Sequence, residues 1–372
     1  MTSTPLSAVV LAAGEGTRMR SSRPKPLHLL CGRAMLLYVL DSLVDCDTRR
    51  AVVVVGHGAE RVTKKLQDSA PDVVLDFVEQ HVQRGTGDAV SVALTSFSEE
   101  EIDADGDVLV LPGDTPLLRP ETIVALVAQH RALGSACSVL TARMTDPTGY
   151  GRVVRGRDGR VERIVEHADA TDEELAIDEV NTSIYCFRLG LLAPSLRRLS
   201  PENAQGEYYL TDVVSVLHSA GYGVSALVVD DARETQGVND RNQLADAESE
   251  LRRRTNESWM ARGVTMLDPS HTYIDATVVL APDVTLFPGT LLQGHCVIGA
   301  GAEIGPDSRL VDCVVGPGAV VETSVGRDAE IGEHAVVGPY AVLEPGAQIS
   351  ANTRTGSFYT ARAADGSDDP FA

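Results

Sequence analysis

The chain has 372 residues, 43% of them hydrophobic, and 32 basic against 53 acidic side chains leave a net charge of −21. That length supports two domains with apolar cores, and the charge excludes general affinity for nucleic acid or anionic lipid while leaving room for a small anionic ligand on a local basic loop. No apolar run approaches the roughly 18 residues of a membrane span, the short stretch Ala8–Ala13 lacks the basic leader of a signal peptide, and six scattered cysteines with no CxxC pair point to reduced, cytoplasmic thiols.

In chain order, the apolar runs 8–13, 51–55, 73–78, 107–112 and 135–142 predict strands. The stretches 34–45, 58–68, 86–98 and 120–133 predict helices between them. This alternation predicts an α/β, Rossmann-like domain over 1–239, with a mostly parallel sheet and helices on both faces. Ligands of such sheets sit at the carboxyl ends of the strands, so functional residues are expected just after strands.

Residues 240–262 read as one charged linker helix, with Glu248/Arg252 and Glu250/Arg254 as i,i+4 pairs. From 263 to 362 the character changes. Aliphatic residues recur every six positions at Ile274, Leu280, Leu286, Leu292, Ile298, Ile304 and Leu310, slip, and resume at Val325, Ile331, Val337, Leu343 and Ile349. A period of six fits neither a helix nor a plain alternating strand. It is the hexapeptide signature of a parallel β-helix, here with room for about four coils. The aliphatic residue of each hexad is expected to point inward, and glycine to ease the corners. The acidic tail 363–372 is expected to be disordered.

Chemistry gathers where strands end. The first strand runs into Gly14-Glu15-Gly16-Thr17-Arg18, followed by Pro24-Lys25. The backbone N–H groups of such a turn cradle phosphate oxygens, and Arg18 and Lys25 add positive charge. The loop is neither a Walker A sequence nor a GxGxxG fingerprint; the alternative is a tight turn with two solvated basic residues. Gln80 follows the third strand, and Gly85-Thr86-Gly87 opens a helix whose N-terminus lets a base or ribose approach, unless Thr86 is only a cap. Gly113-Asp114 ends a buried strand on a carboxylate, where a hard divalent cation would be held, with Asn239 as a second oxygen ligand. The alternatives are a turn residue and a helix cap. Gly151, Glu166 and Asn181 offer donors and acceptors suited to sugar hydroxyls, or are hairpin residues. The polar segment Asn203–Asp212 is a further candidate or a mere cap. No histidine falls in a Ser–His–Asp pattern.

The runs LAAGEGTRM, PKPLH, GTGDAV, LPGDTPLL, TGYGRVV, IVEHADAT, EVNTSIY, NAQGEYYLTD and GVNDRNQLADAE occur in this order. Together they closely resemble the bacterial bifunctional N-acetylglucosamine-1-phosphate uridyltransferase / glucosamine-1-phosphate acetyltransferase family, over about residues 5–362. The resemblance implies a nucleotidyltransferase domain followed by a short left-handed parallel β-helix. It implies that Leu11, Ala12, Ala13, Gly14, Gln80, Gly85, Thr86 and Gly113 bind the nucleotide. Arg18 and Lys25 would act on the phosphates, Asp114 and Asn239 would bind Mg²⁺, and Gly151, Glu166, Asn181, Tyr209 and Thr211 would surround the sugar. The implied substrates are UTP and N-acetylglucosamine 1-phosphate, and the β-helix suggests a homotrimer. A different sugar 1-phosphate or dTTP is the alternative within enzymes; a non-catalytic scaffold is the alternative outside them.

Departures from the family pattern are Asp88 for a histidine, Ala168 for a lysine, Ser183 for a glycine and Glu344 for an arginine. The family's acetyltransferase motif has no counterpart after Arg362, so acetyl transfer is not expected.

Overall fold

The computed structural model describes residues 4–67, 73–103 and 106–363. The tail expected to be disordered lies, save for Ala363, outside the described residues. The chain forms two compact units. One comprises the chain up to His28 together with Ala34–Leu244, and the other Leu29–Arg33 together with Ala245 onward.

The principal elements of the first unit are β1 (Leu6–Ala12), α1 (Met35–Asp41), β2 (Arg50–Val55), α2 (Ala59–Gln67), β3 (Val74–Glu79), α3 (Thr86–Leu94), β4 (Asp107–Pro112), α4 (Pro120–Leu133) and β5 (Cys137–Arg143). They continue with β6 (Arg152–Arg155), β7 (Val161–Val165), β8 (Glu179–Arg188), α5 (Leu189–Leu196), α6 (Asp212–Ser219) and β9 (Val224–Val228). The strands join in one sheet of order β9-β5-β8-β4-β1-β2-β3, with the hairpin β6–β7 attached to β8. All neighbours on the path are parallel except β8, which runs antiparallel between β4 and β5.

The central strands are apolar without interruption because both of their faces are covered. Alternate residues feed two cores. Ala8, Val10, Val53, Leu109 and Leu111 pack with α1 and α4 on one face, and Val9, Val52, Val54, Val108 and Val110 pack with α3, α5 and α6 on the other. The expected Rossmann-like α/β architecture is therefore present. Strand β8, which none of the apolar runs predicts, is the element that makes the sheet mixed.

The second unit is a left-handed parallel β-helix. Its short strands stack in three parallel sheets of five, six and five strands, so it has about one coil more than expected. The inward residues Ile274, Leu292, Leu310, Leu343 and Ala361 stack in one column. The slip in register is taken up by coils shorter than eighteen residues, and it corrects one expectation. Val325 is 50% exposed, and Gly326 occupies the inward place between Leu310 and Leu343. The six-residue count from Val325 to Ile331 is thus accidental; the inward spacing there is five.

Glycine also does something other than ease corners. At Gly299, Gly316 and Gly332 a Cβ would lie 2.5–2.6 Å from the backbone nitrogen of the next coil. The coils approach there too closely for any side chain, while several corners take a left-handed aspartate such as Asp283 or Asp307.

The charged helix spans Arg241–Ala261 (α7). Glu250 pairs with Arg254 at 2.8 Å as expected. Glu248 instead accepts from the Cys31 N–H at 2.7 Å, and Arg252 lies over the Tyr273 ring, so the second expected pair gives way to better partners. Nor is α7 exposed all round: Ala247, Leu251 and Asn256 are buried, and Trp259 and Met260 pack on the β-helix core. Among the described residues no helix is long and apolar enough to cross a membrane.

Candidate active site

A cavity of about 560 Å³ opens in the first unit at the carboxyl ends of β1 and β4. The loop after β1 is shaped by Gly16, whose φ of +64° is costly for other residues. A Cβ there would lie 2.7 Å from Lys25 Cβ, so glycine lets the loop pass against Lys25 and set its direction.

Lys25 Nζ donates to Asp114 Oδ2 and, at 2.8 Å, to Asn239 Oδ1. Arg18 donates to the same Asn239 oxygen at 3.0 Å. Residues 18, 25, 114 and 239, distant in the chain, thus meet at one point. The N–H of Val238 donates to Asp114 O at 2.8 Å and ties the segments that carry Asp114 and Asn239 together.

Asp240, not Asn239, caps α7, accepting from the N–H groups of Asn242 and Gln243 at 2.9 Å. Asn239 is left to turn its side chain into the cluster. Thr86 is not a cap either: Gly85 holds the N-cap position, and Thr86 Oγ1 accepts from the Leu210 N–H at 3.0 Å. That bond docks the polar 203–212 segment on α3, helped by Gly87 N–H donating to Tyr208 O at 2.8 Å.

A carboxylate oxygen and an amide oxygen that already share one ammonium are hard donors aimed at a common cation. That is the donor set of a divalent ion completed by phosphate and water oxygens. Among the described residues no cluster of three or more His, Cys, Asp or Glu could hold a metal by itself.

A second group of side chains surrounds Glu166. Thr211 Oγ1 donates to Glu166 Oε1 at 3.0 Å. Burial pushes the Glu166 carboxyl above its ordinary value; the Thr211 hydrogen bond opposes this, and Asp212, Asp169 and Glu207 add to it. Asn181 Oδ1 accepts from the Ser183 N–H at 3.1 Å across a bulge in β8, where Ser183 adopts a φ of +62°. The serine thus stands in a conformation that glycine would adopt more cheaply.

The cavity wall brings together Leu11, Ala12, Ala13, Gly14, Arg18, Lys25, Gln80, Gly85, Thr86, Gly113, Asp114, Gly151, Glu166, Asn181 and Asn239. Two expected residues stand outside it. Tyr209 and Thr211 are buried behind the wall, because the loop before α6 turns them inward, where Thr211 spends its hydroxyl on Glu166. Sequence reasoning did not single out Gln83, Gly237 or Gln243, which also line the cavity. Gln83 donates to Ala13 O at 2.7 Å and so holds the loop after β1; the signal available was its place in the turn between Gln80 and Gly85.

The first unit also holds a Ser–His–Asp chain that the sequence reading did not anticipate. His130 Nδ1 lies 2.9 Å from Ser138 Oγ, and His130 Nε2 lies 3.4 Å from Asp107 Oδ1. All three residues are buried and none lines the cavity, so the chain is structural. Burial opposes ionisation of Asp107, but hydrogen bonds from His130 and Arg131 outweigh it and hold the carboxyl below its ordinary value.

Residues 8–182 match the family described as MobA-like NTP transferase domain. Three relatives, each named bifunctional protein GlmU, match across both units. The protein of Thermobifida fusca is 47% identical over 329 residues, 88% of this chain and 68% of its own length. That of Exiguobacterium sibiricum is 46% identical over 94% of this chain and 76% of its own length. That of Streptomyces coelicolor is 46% identical over 96% of this chain and 73% of its own length.

Proposed function

Because the chain belongs to the GlmU family and is a sugar-1-phosphate nucleotidyltransferase, we propose that it transfers the uridylyl group of UTP to N-acetylglucosamine 1-phosphate and releases pyrophosphate. The observation that carries this reading is the convergence of Arg18, Lys25, Asp114 and Asn239 at the strand ends. A phosphate oxygen of the sugar 1-phosphate attacks the α-phosphorus of UTP, the bond from that phosphorus to the bridging oxygen breaks, and pyrophosphate leaves with the electron pair. No protein nucleophile is needed.

Both reactants are anions, so the work of the site is alignment and neutralisation. The loop Leu11–Gly14 brings its backbone up to the phosphates, while Arg18 and Lys25 oppose the charge that develops on the leaving group. Asp114 and Asn239 would hold Mg²⁺, which supplies further neutralisation at the phosphate oxygens when bound. Gln80, Gly85 and Thr86 hold the uridine; Gly151, Glu166 and Asn181 hold the sugar, with Thr211 steadying Glu166.

This chain carries out no acetyl transfer in the same reading, which Glu344 supports. Glu344 lies 3.5 Å from Arg362 and puts a negative side chain where the family resemblance calls for a cation. Self-association through the β-helix into a trimer is also part of the reading. The outward valines Val279, Val297 and Val314 stand in register on one face and are exposed. Light scattering reads the oligomer directly.

A substrate panel tests the reaction. Pyrophosphate release is expected to be fastest with UTP and N-acetylglucosamine 1-phosphate. A strong preference for dTTP or for glucose 1-phosphate overturns the assignment, and acetyl transfer from acetyl-CoA to glucosamine 1-phosphate overturns the restriction to one activity.

A further inference from the structure

The cavity wall contains an amide whose orientation is dictated by its partners. Gln80 follows β3, with its backbone N–H donating to Val55 O at 2.9 Å, and the residue is only 6% exposed. Its side-chain nitrogen donates to Asp88 Oδ2 at 2.8 Å and to Gly85 O at 3.3 Å. A carboxylate and a peptide carbonyl are acceptors only. The usual ambiguity between the two ends of a glutamine amide is therefore settled by chemistry: the NH₂ group faces Asp88 and Gly85, and Oε1 faces away from them. Gln80 lines the cavity, so it offers a ligand an acceptor and has committed its donors elsewhere. Asp88 lies in the first turn of α3, where the helix dipole favours a negative side chain.

We propose that Asp88 is a positioning residue for nucleotide selection: by holding the Gln80 amide it makes Oε1 the acceptor for a ring N–H of the bound base. The inference rests on the uridylyl-transfer reading above. Uracil carries a single ring donor on its pairing edge, N3–H, between two carbonyl acceptors. Cytosine has an unprotonated nitrogen at that ring position. A fixed acceptor pairs with the first and repels the second, whereas an amide free to turn accommodates either. Discrimination by hydrogen bonding is strong when the wrong ligand leaves buried polar groups unpaired.

The test uses Asp88→Ala and Asp88→Asn beside the wild type. Binding of UTP and of CTP is measured by calorimetry, and pyrophosphate release is followed with each nucleotide. In Asp88→Ala the KM for UTP is expected to rise about threefold to tenfold with kcat little changed, and the binding preference for UTP over CTP to fall about tenfold. In Asp88→Asn, whose side chain can accept from or donate to Gln80, the fall is smaller. Melting curves monitor folding, and if Asp88→Ala does not fold, Asp88→Asn carries the test. An unchanged preference, or equal weakening of UTP and CTP, overturns the role of Asp88, as does a wild type that binds both equally. A wild type that prefers UTP in an Asp88-dependent way but releases no pyrophosphate overturns the uridylyl-transfer reading alone.

Discussion

The two units bury polar groups in opposite ways. In the β-helix, Thr290, Ser308 and Ser324 stack at equivalent places, and each hydroxyl donates to a backbone carbonyl of its own or the neighbouring coil. One solution is repeated coil after coil. Around the cavity of the first unit no solution recurs: Lys25 bridges Asp114 and Asn239, Thr211 donates to Glu166, and Asp88 holds Gln80. A repeated interior needs only shape and self-satisfaction. An interior proposed to hold substrates needs particular charges held where a ligand completes them.

Removing a charge from the cluster separates the two kinds of interior most clearly. Lys25→Ala is expected to lower kcat for pyrophosphate release by on the order of 10²–10³ while leaving the fold intact. A loss of less than about threefold would place Lys25 among ordinary structural ion pairs.

Next in size come substitutions in the β-helix. Leu343→Ala, at a buried column position, is expected to cost about 2–5 kcal/mol in denaturant unfolding. Val325→Ala, at an outward position, is expected to cost no more than about 0.5 kcal/mol. Equal costs would mean that Val325, and not Gly326, points inward.

That pair of residues also shows how far the sequence could be read. The hexad period made the β-helix legible over most of its length, because every coil must refill the same triangular interior. It failed between Leu310 and Ile331, where inward positions are five or six residues apart and an outward valine happened to lie six residues before Ile331. In the first unit, uninterrupted valine runs revealed the buried parallel strands. Strand β8 escaped because a bulge at Asn181–Ile184 and polar residues facing the cavity break its pattern. The cluster at 18, 25, 114 and 239 was readable as separate strand-end motifs. The roles of Asp240 as cap and Thr86 as anchor were not, because they depend on contacts between segments far apart in the chain.

Glu166 offers a subtler test. Its carboxyl titrates above the ordinary value in the folded protein, chiefly through burial. Between the unfolded and folded values the native state binds more protons. The stabilising contribution of the protonated form is thus full below the unfolded value and lost as pH rises through the folded one. Glu166→Gln is therefore expected to resist denaturant better than the wild type at pH 7, with the difference shrinking toward about pH 4, and to have a raised KM for the sugar phosphate. A variant that is less stable at pH 7 would show that the carboxylate is better compensated than its surroundings indicate.

The smallest expected effect is at Ser183. Glycine relieves its left-handed backbone, and Ser183→Gly is expected to stabilise the protein by about 0.5–1 kcal/mol, read as a higher denaturant midpoint at unchanged slope. A lower midpoint would mean that the serine side chain contributes more than its backbone costs.

In the proposed reaction Asp114 and Asn239 hold the cation on which phosphate chemistry at this site depends. Its most direct test compares Mg²⁺-dependent pyrophosphate release from UTP and N-acetylglucosamine 1-phosphate in the wild type and Asp114→Ala. Turnover is expected to require the metal in the wild type and to fall by on the order of 10²–10³ in the variant. Equal rates in the two proteins, or no metal-dependent turnover in the wild type, would contradict it.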